Sequence, residues 1–249
     1  MTNLRRTPII GLLSCAVLVL APISWAQQQA QRAPILDKIA KTYGIDSWDK
    51  VEAIRYTWNA EIAGLFSGTL SHTWEWEPKT NKVSYEGKDK DGKPVTATYV
   101  RTDPSTQSDA VKTQIDPAFI NDNYWTLFPF HAYWDTAATV IDQGMFNLPT
   151  GSGMAELVPI KYPADGGYTP GDIWDLYLGK DNRVQYFVYH RGGAKPPSRV
   201  FATWTGYKKA GPVLISTEHR GTADGKPLHI FISDVSVKLT GSDTWIKAQ

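Results

Sequence analysis

Leu70-Ser71-His72-Thr73-Trp74-Glu75-Trp76-Glu77 reads with a period of two. Leu70, His72, Trp74 and Trp76 fall on one side of an extended chain, and Ser71, Thr73 and Glu75 on the other. Successive side chains of a strand point to opposite faces, so this is a strand with one bulky, buried face and one wet face. Upstream, Ile54, Tyr56 and Trp58 alternate with Arg55, Thr57 and Asn59, and Gly64 and Gly68 bound a turn between the two segments. Downstream, Pro78-Lys79-Thr80-Asn81 turns into a strand carrying Val83 and Tyr85. Asp91-Gly92 then signals a hairpin into residues 95–101. These four segments predict an antiparallel meander.

On the N-terminal side of the meander, Pro34 opens a short amphipathic helix. Ile35, Leu36, Ile39 and Ala40 recur at helical spacing, and Gly44 stands just past its end. On the C-terminal side, Asp116-Pro117 predicts an N-cap with proline at the first helical position. The helix over 118–128 carries Phe119, Ile120, Tyr124, Trp125 and Leu127; Pro129 ends or kinks it, and Phe130, His131, Tyr133 and Trp134 follow. Strands are expected again at 155–162, 173–178, 184–190, 200–207, 213–219 and 228–237. Many antiparallel strands with one or two helices predict a mainly β, α+β fold: a strongly curved antiparallel sheet or open half-barrel. A flat sheet of this size would leave an apolar face in water. Curling it, and laying the 119–134 segment over the concave side as a helical lid, buries that face.

In this order of elements the chain resembles the LolA/LolB-like superfamily of periplasmic lipoprotein carriers. The likeness rests on an exported leader, a short helix, and a meander containing His72-Thr73-Trp74-Glu75-Trp76-Glu77-Pro78 and Asn81-Lys82-Val83. An aromatic helical insert and closing hairpins over 172–189 and 213–237 complete it. The chain is also similar to exported bacterial proteins without an assigned activity. The resemblance covers most of the mature chain and implies one LolA-like domain over 27–249, with a hydrophobic cup that takes acyl chains. It carries over the cup and no individual binding residue.

The residues themselves point to the same kind of ligand. If Tyr56, Trp58, Trp74 and Trp76 face the concavity, they line an apolar cavity for a lipid or other hydrophobic small molecule, or else they fill it. Each ring withdraws about 150–250 Å² from water, so either outcome matters to the energetics. Trp125, Phe128, Phe130 and Trp134 from the lid segment join them as candidate ligand-binding residues, with Pro129 as the hinge. Arg101 is the candidate for a carboxylate or phosphate headgroup, since a guanidinium grips both bidentately. Arg55 alternates out of phase with Trp58 and belongs on the outer face.

Other chemistries find less support. The five histidines, His72, His131, His190, His219 and His229, show no zinc-ligand spacing, so no metal is expected. No G-x-S-x-G elbow occurs, and Gly151-Ser152-Gly153 reads as a loop. Asp122, Asp135, Asp172 and Asp175 offer carboxylates without a defined separation. No catalytic residue and no cofactor is assigned. The alternatives are a periplasmic hydrolase on the same cup and a glycan binder that stacks sugars on tryptophan.

The N-terminus sets the expected compartment. Arg5 and Arg6 precede an apolar run over 9–20, and Ser24-Trp25-Ala26 fits a signal-peptidase site, giving a signal peptide over 1–26 and a periplasmic or secreted product. Cys15, the only cysteine, would leave with it, and the apolar residues after it argue against a lipobox. Loss of Arg5 and Arg6 leaves 24 basic against 25 acidic residues, a net charge of −1. That balance, without a basic stripe, excludes a nucleic-acid partner. No second long apolar run predicts a membrane span; a protein partner is not specified by the sequence.

Overall fold

The stretch around Trp74 forms strand β2 (Leu70–Glu77), with Trp74 and Trp76 buried and Glu75 turned outward. It lies between β1 (Val51–Ile62) and β3 (Lys82–Lys88), and β3 pairs with β4 (Pro94–Val100), completing the expected meander. The computed structural model describes residues 32–193 and 198–249; the expected leader over 1–26, its cleavage site and Cys15 lie outside these. Residues Arg32–Gln249 cluster as one compact unit.

The remaining strands are β5 (Thr139–Val140), β6 (Met145–Asn147), β7 (Met154–Lys161), β8 (Ile173–Leu178), β9 (Val184–His190), β10 (Arg199–Thr203), β11 (Lys208–Ala210), β12 (Val213–Ile215), β13 (Glu218–Ala223), β14 (Lys226–Leu239) and β15 (Trp245–Lys247). Among the described residues, 13 strands join one antiparallel sheet in the order β4-β3-β2-β1-β14-β13-β10-β9-β8-β7-β5. β15 also pairs with β14, β6 also pairs with β7, and β11 and β12 form a separate two-stranded ribbon. The sheet does not close: β4 and β5 end the path.

Two devices bend it. Between Arg55↔Ser236 and Thr57↔Ser233, β14 spends one residue more than β1, and Asp234 takes a left-handed φ of 53° there. Such a bulge kinks the strand and sharpens its twist at the centre of the sheet. At Gly221 on β13, a Cβ would lie 1.9 Å from the Phe201 carbonyl oxygen of β10, so only glycine lets these strands approach. The curl is large. Arg101, just past β4, reaches Tyr168 in the β7–β8 loop at 3.2 Å. Eight strand spacings of about 4.8 Å would hold β4 and β8 roughly 38 Å apart on a flat sheet.

The concave face is filled by α2 (Asp116–Trp134), and α1 (Pro34–Tyr43) packs beside it. α1 is the amphipathic helix expected, burying Ile35, Leu36, Ile39, Ala40 and Tyr43. Gly44 ends it at φ 100°, donating its N–H to the Ala40 and Lys41 carbonyls. α2 differs from expectation at both ends. A π-helical turn, Val111–Ile115, runs into it, and Asp116 is already helical, so Asp116 is not an N-cap. Its carboxylate instead accepts from Arg101 Nε at 2.7 Å and from the Tyr99 hydroxyl at 3.1 Å. At the other end the helix passes Pro129 and continues to Trp134, absorbing the missing N–H in a kink at Leu127 (φ −120°, ψ 23°).

The late strands are more broken than the sequence predicts. The expected strand over 213–219 splits into β12 and β13 because Ser216 and Thr217 turn their hydroxyls onto the Thr205 and Gly206 carbonyls. The segment over 200–207 likewise divides, with Trp204 buried between its parts.

Candidate functional site

A cavity of about 610 Å³ lies between the first half of α2 and the concave sheet. Its floor is built from inward positions of five strands: Trp58 and Ile62 on β1, Leu228 and Ile230 on β14, Val200 on β10, Tyr189 on β9 and Trp174 on β8. α2 supplies the opposite wall with Ile120, Asn121, Tyr124 and Trp125. The rim comes from three loops, one of them Arg191, Gly192 and Gly193 after β9. Leu65 and Phe66 lie on the second, and Tyr168, Thr169, Pro170 and Asp172 on the third. Leu65 and Tyr168 are 53% and 63% exposed, large apolar bodies standing in water at the mouth.

The deep wall is an aromatic stack. Trp125 packs on Trp174 with ring centroids 4.8 Å apart and on Phe187 and Tyr189 at 5.5 Å. Phe128 stacks on Trp174 at 3.9 Å behind it. Tilted and edge-on ring contacts of this kind stabilise beyond their buried area and hold the wall in one shape.

The Trp58 and Trp174 Nε1–H groups are buried in the wall without a hydrogen-bond partner, whereas Asp172, Asn121 and Tyr124 are paired. Asp172, buried at the rim, accepts from the Gly192 N–H at 2.7 Å and the Tyr189 hydroxyl at 2.9 Å. Asn121 accepts from Trp125 Nε1 at 3.3 Å and donates to Asp122 at 3.0 Å. The Tyr124 hydroxyl donates to Asp135 at 2.8 Å, as does Tyr162 from β7's end. Burial raises the Asp135 carboxyl above its usual range, and those two phenols oppose the shift.

The face predicted from the alternation divides into two groups. Trp58 and Trp125 line the cavity. Tyr56, Trp74, Trp76, Phe128, Phe130 and Trp134 pack outside it, against α2 and α1. Trp74 donates to Asp122 Oδ2 at 2.8 Å, and His72 Nδ1 lies 2.7 Å from the same oxygen. Asp122 is 1% exposed, and burial raises its carboxyl while His72, Asn121 and Trp74 hold it down. Tyr56 accepts from Asn123, whose other end meets His131 Nε2 at 2.8 Å. Trp76, Phe130 and Trp134 converge on Trp48, at 6.1, 4.7 and 5.0 Å. Trp48, in the 3₁₀ turn Ile45–Lys50 ahead of β1, thus closes this second aromatic group.

Arg101 is held by Asp116, with its guanidinium 5.1 Å from the Phe119 ring centre. Arg55 is on the outer face as expected, paired with Glu75 and stacked 4.4 Å over Trp245. The cavity residues the sequence reading did not single out are Trp174, Tyr189, Ile230, Leu65 and Tyr168. Trp174 stood in the same period-two pattern as Trp74; the two loop residues carried no signal.

Among the described residues no three His, Cys, Asp or Glu side chains converge as a metal site. No described helix is long and apolar enough to cross a membrane.

No protein-family model matches the sequence, and no curated protein matches it either. The fold has solved relatives. A LolA superfamily protein of Nitrosomonas europaea superposes with a TM-score of 0.50 at 7% identity, over 82% of this chain and 92% of that one. A putative outer membrane lipoprotein-sorting protein domain of Vibrio parahaemolyticus gives a TM-score of 0.44 at 11% identity, over 84% and 93%. A DUF1329 family protein of Desulfovibrio piger gives 0.43 at 11% identity, over 84% and 94%. In fold, this chain is similar to the LolA superfamily: an open, curved antiparallel sheet with helices packed in its concavity.

Proposed function

We propose that the protein binds a lipid or other hydrophobic small molecule in the cavity between α2 and the sheet, as an exported component of the cell envelope. The observation that carries this reading is the cavity of about 610 Å³, walled by Trp58, Trp125 and Trp174 and rimmed by exposed Leu65 and Tyr168. Pockets of a few hundred Å³ lined by aromatic and aliphatic side chains favour ligands that are mostly apolar. The fold is consistent with it, since the LolA superfamily protein of Nitrosomonas europaea has the same architecture. Periplasmic or secreted localisation rests on the leader expected over 1–26.

The glycan-binding alternative draws less support, since sugar stacking needs a solvent-facing ring. Among the described residues Trp58, Trp74, Trp76, Trp125, Trp174 and Trp204 are buried, and the half-buried Trp48, Trp134 and Trp245 already have their rings packed on one another, on Phe130 or on Arg55. For a hydrolase, His72 and Asp122 form a base with an orienting carboxylate, yet among the described residues no hydroxyl or thiol hydrogen-bonds to His72. The test is titration of the purified protein with palmitate and with phosphatidylglycerol, following intrinsic tryptophan emission. Three tryptophans in the wall predict a saturable blue shift or quench. A flat response to both classes counts against the cavity as a ligand site.

A further inference from the structure

Of the elements around the cavity, α2 is poorly suited to move. Every residue from Asp122 to Phe130 is buried, so this part of the helix is packed on every side. Swinging it out would expose two aromatic groups and the Asp122 carboxylate together. The loop over 163–171 has the opposite character. We infer that this loop is the gate of the cavity and that Arg101, through Tyr168, is the latch that holds it closed; the inference rests on the ligand-binding reading above.

Three observations carry it. The loop's tip, Tyr168, Thr169 and Pro170, forms one rim of the cavity. Its backbone takes left-handed φ values at Gly166, Gly167 and Gly171, of 77°, 70° and 75°, so it is rich in residues that change conformation at little steric cost. Its base is pinned: Gly171 donates to the Pro163 carbonyl at 2.7 Å, and Tyr162 donates to the Asp172 carbonyl at 2.9 Å. A pinned base and a permissive middle describe a flap that pivots without disturbing β7 or β8.

The tip is held from across the mouth. Arg101 Nη2 donates to the Tyr168 hydroxyl at 3.2 Å, and the guanidinium lies 5.5 Å from the Tyr168 ring centre. Arg101 is itself fixed to α2 by its Nε bond to Asp116. The loop leaves the sheet near one edge, whereas Arg101 follows the strand at the other edge. The contact therefore closes the opening of the curl. One charge-assisted hydrogen bond to a mostly exposed phenol is weak enough to break on the time scale of binding.

The test is stopped-flow binding of the apolar fluorophore N-phenyl-1-naphthylamine to wild type, Tyr168→Phe and Tyr168→Ala. Losing a contact with bound ligand raises only the dissociation rate; losing a latch raises the association rate. The gate predicts association about fivefold faster in Tyr168→Phe, from one lost hydrogen bond, and at least as fast in Tyr168→Ala. Both variants should keep the wild-type circular dichroism, because Tyr168 is exposed. Association rates equal to wild type in both variants overturn the gate while leaving the cavity intact. Wild type that fails to bind the probe removes the cavity reading and the gate with it.

Discussion

Asp122→Ala should destabilise the protein more than any surface change, for reasons that can be counted. The carboxylate is 1% exposed and is the meeting point of three donors: His72 Nδ1, Trp74 Nε1 and Asn121 Nδ2, at 2.7, 2.8 and 3.0 Å. Alanine leaves the Trp74 and His72 groups buried without an acceptor. Each orphaned donor costs about 1–3 kcal/mol, so two give roughly 4 kcal/mol. Removing a buried charge returns part of its desolvation cost, which lowers the net to about 3 kcal/mol. With a urea m-value of about 2–3 kcal/mol/M, the midpoint should fall by roughly 1–1.5 M. Asp122→Asn is the internal comparison. Its amide oxygen can still take both donors that converge on Oδ2 and loses only the Asn121 bond, so its shift should be less than half as large. Equilibrium urea unfolding followed by tryptophan emission reads both. Equal midpoints for wild type and Asp122→Ala would show that the tether between β2 and α2 is energetically idle, and the fixed-wedge description of α2 would fail with it.

Three further outcomes follow from the same packing. His219 is 0% exposed; its Nδ1 bonds the Thr203 carbonyl at 3.2 Å, its Nε2 has no partner, and burial pushes its pKa down to about 3. The unfolded chain binds a proton that the folded one refuses, so stability is full above about pH 6.5 and falls toward pH 3, by up to about 1.4 kcal/mol per pH unit. His219→Phe should flatten that slope in urea midpoints taken at pH 4 to 7. Gly221→Ala should cost about 1–3 kcal/mol, because the new methyl meets the Phe201 carbonyl 1.9 Å away; an unchanged melting temperature would argue against the β10–β13 approach. Pro129→Ala should lower stability by about 1–3 kcal/mol with ligand association unaltered, since Pro129 is buried in a packed helix far from the moving rim. A faster association in Pro129→Ala would return the gating role to α2.

The period-two stretches were legible because each strand of an antiparallel sheet with one covered face writes its burial into the sequence. Leu70 to Trp76 and Ile54 to Trp58 declared their inner faces, and β2 and β1 carry them there. Asp91-Gly92 marked a turn because the left-handed φ of 78° at Gly92 restricts the choice of residue. α2 was legible as a helix but not as a wedge. From Asp122 to Phe130 the helix is buried on all sides and has no exposed polar stripe, so its sequence does not say which side meets the sheet. Asp116 looked like a cap because Asp-Pro is a common cap pattern; only the fold brings Arg101 to it. Which tryptophans line a void and which fill space was beyond reading. The partition of Trp58 from Trp74, two inner positions on neighbouring strands, depends on where α2 crosses and where Phe119 lands. The rim residues Leu65 and Tyr168 lie in loops, where no period exists to reveal them.

The account turns on whether the space beside Trp125 takes an apolar ligand. Ile120, half-buried on α2, is the cavity residue whose enlargement fills that space with least damage to the core, so Ile120→Trp is the blocking variant. Native mass spectrometry of both proteins, purified from cells expressing the full chain and followed by lipid extraction, measures occupancy directly. The account predicts an acyl-bearing adduct on the wild type and at least about a tenfold loss of it, near 1.4 kcal/mol, in Ile120→Trp. Wild type that flies without any adduct and gains none when mixed with palmitate would contradict it, as would equal occupancy in the blocked variant.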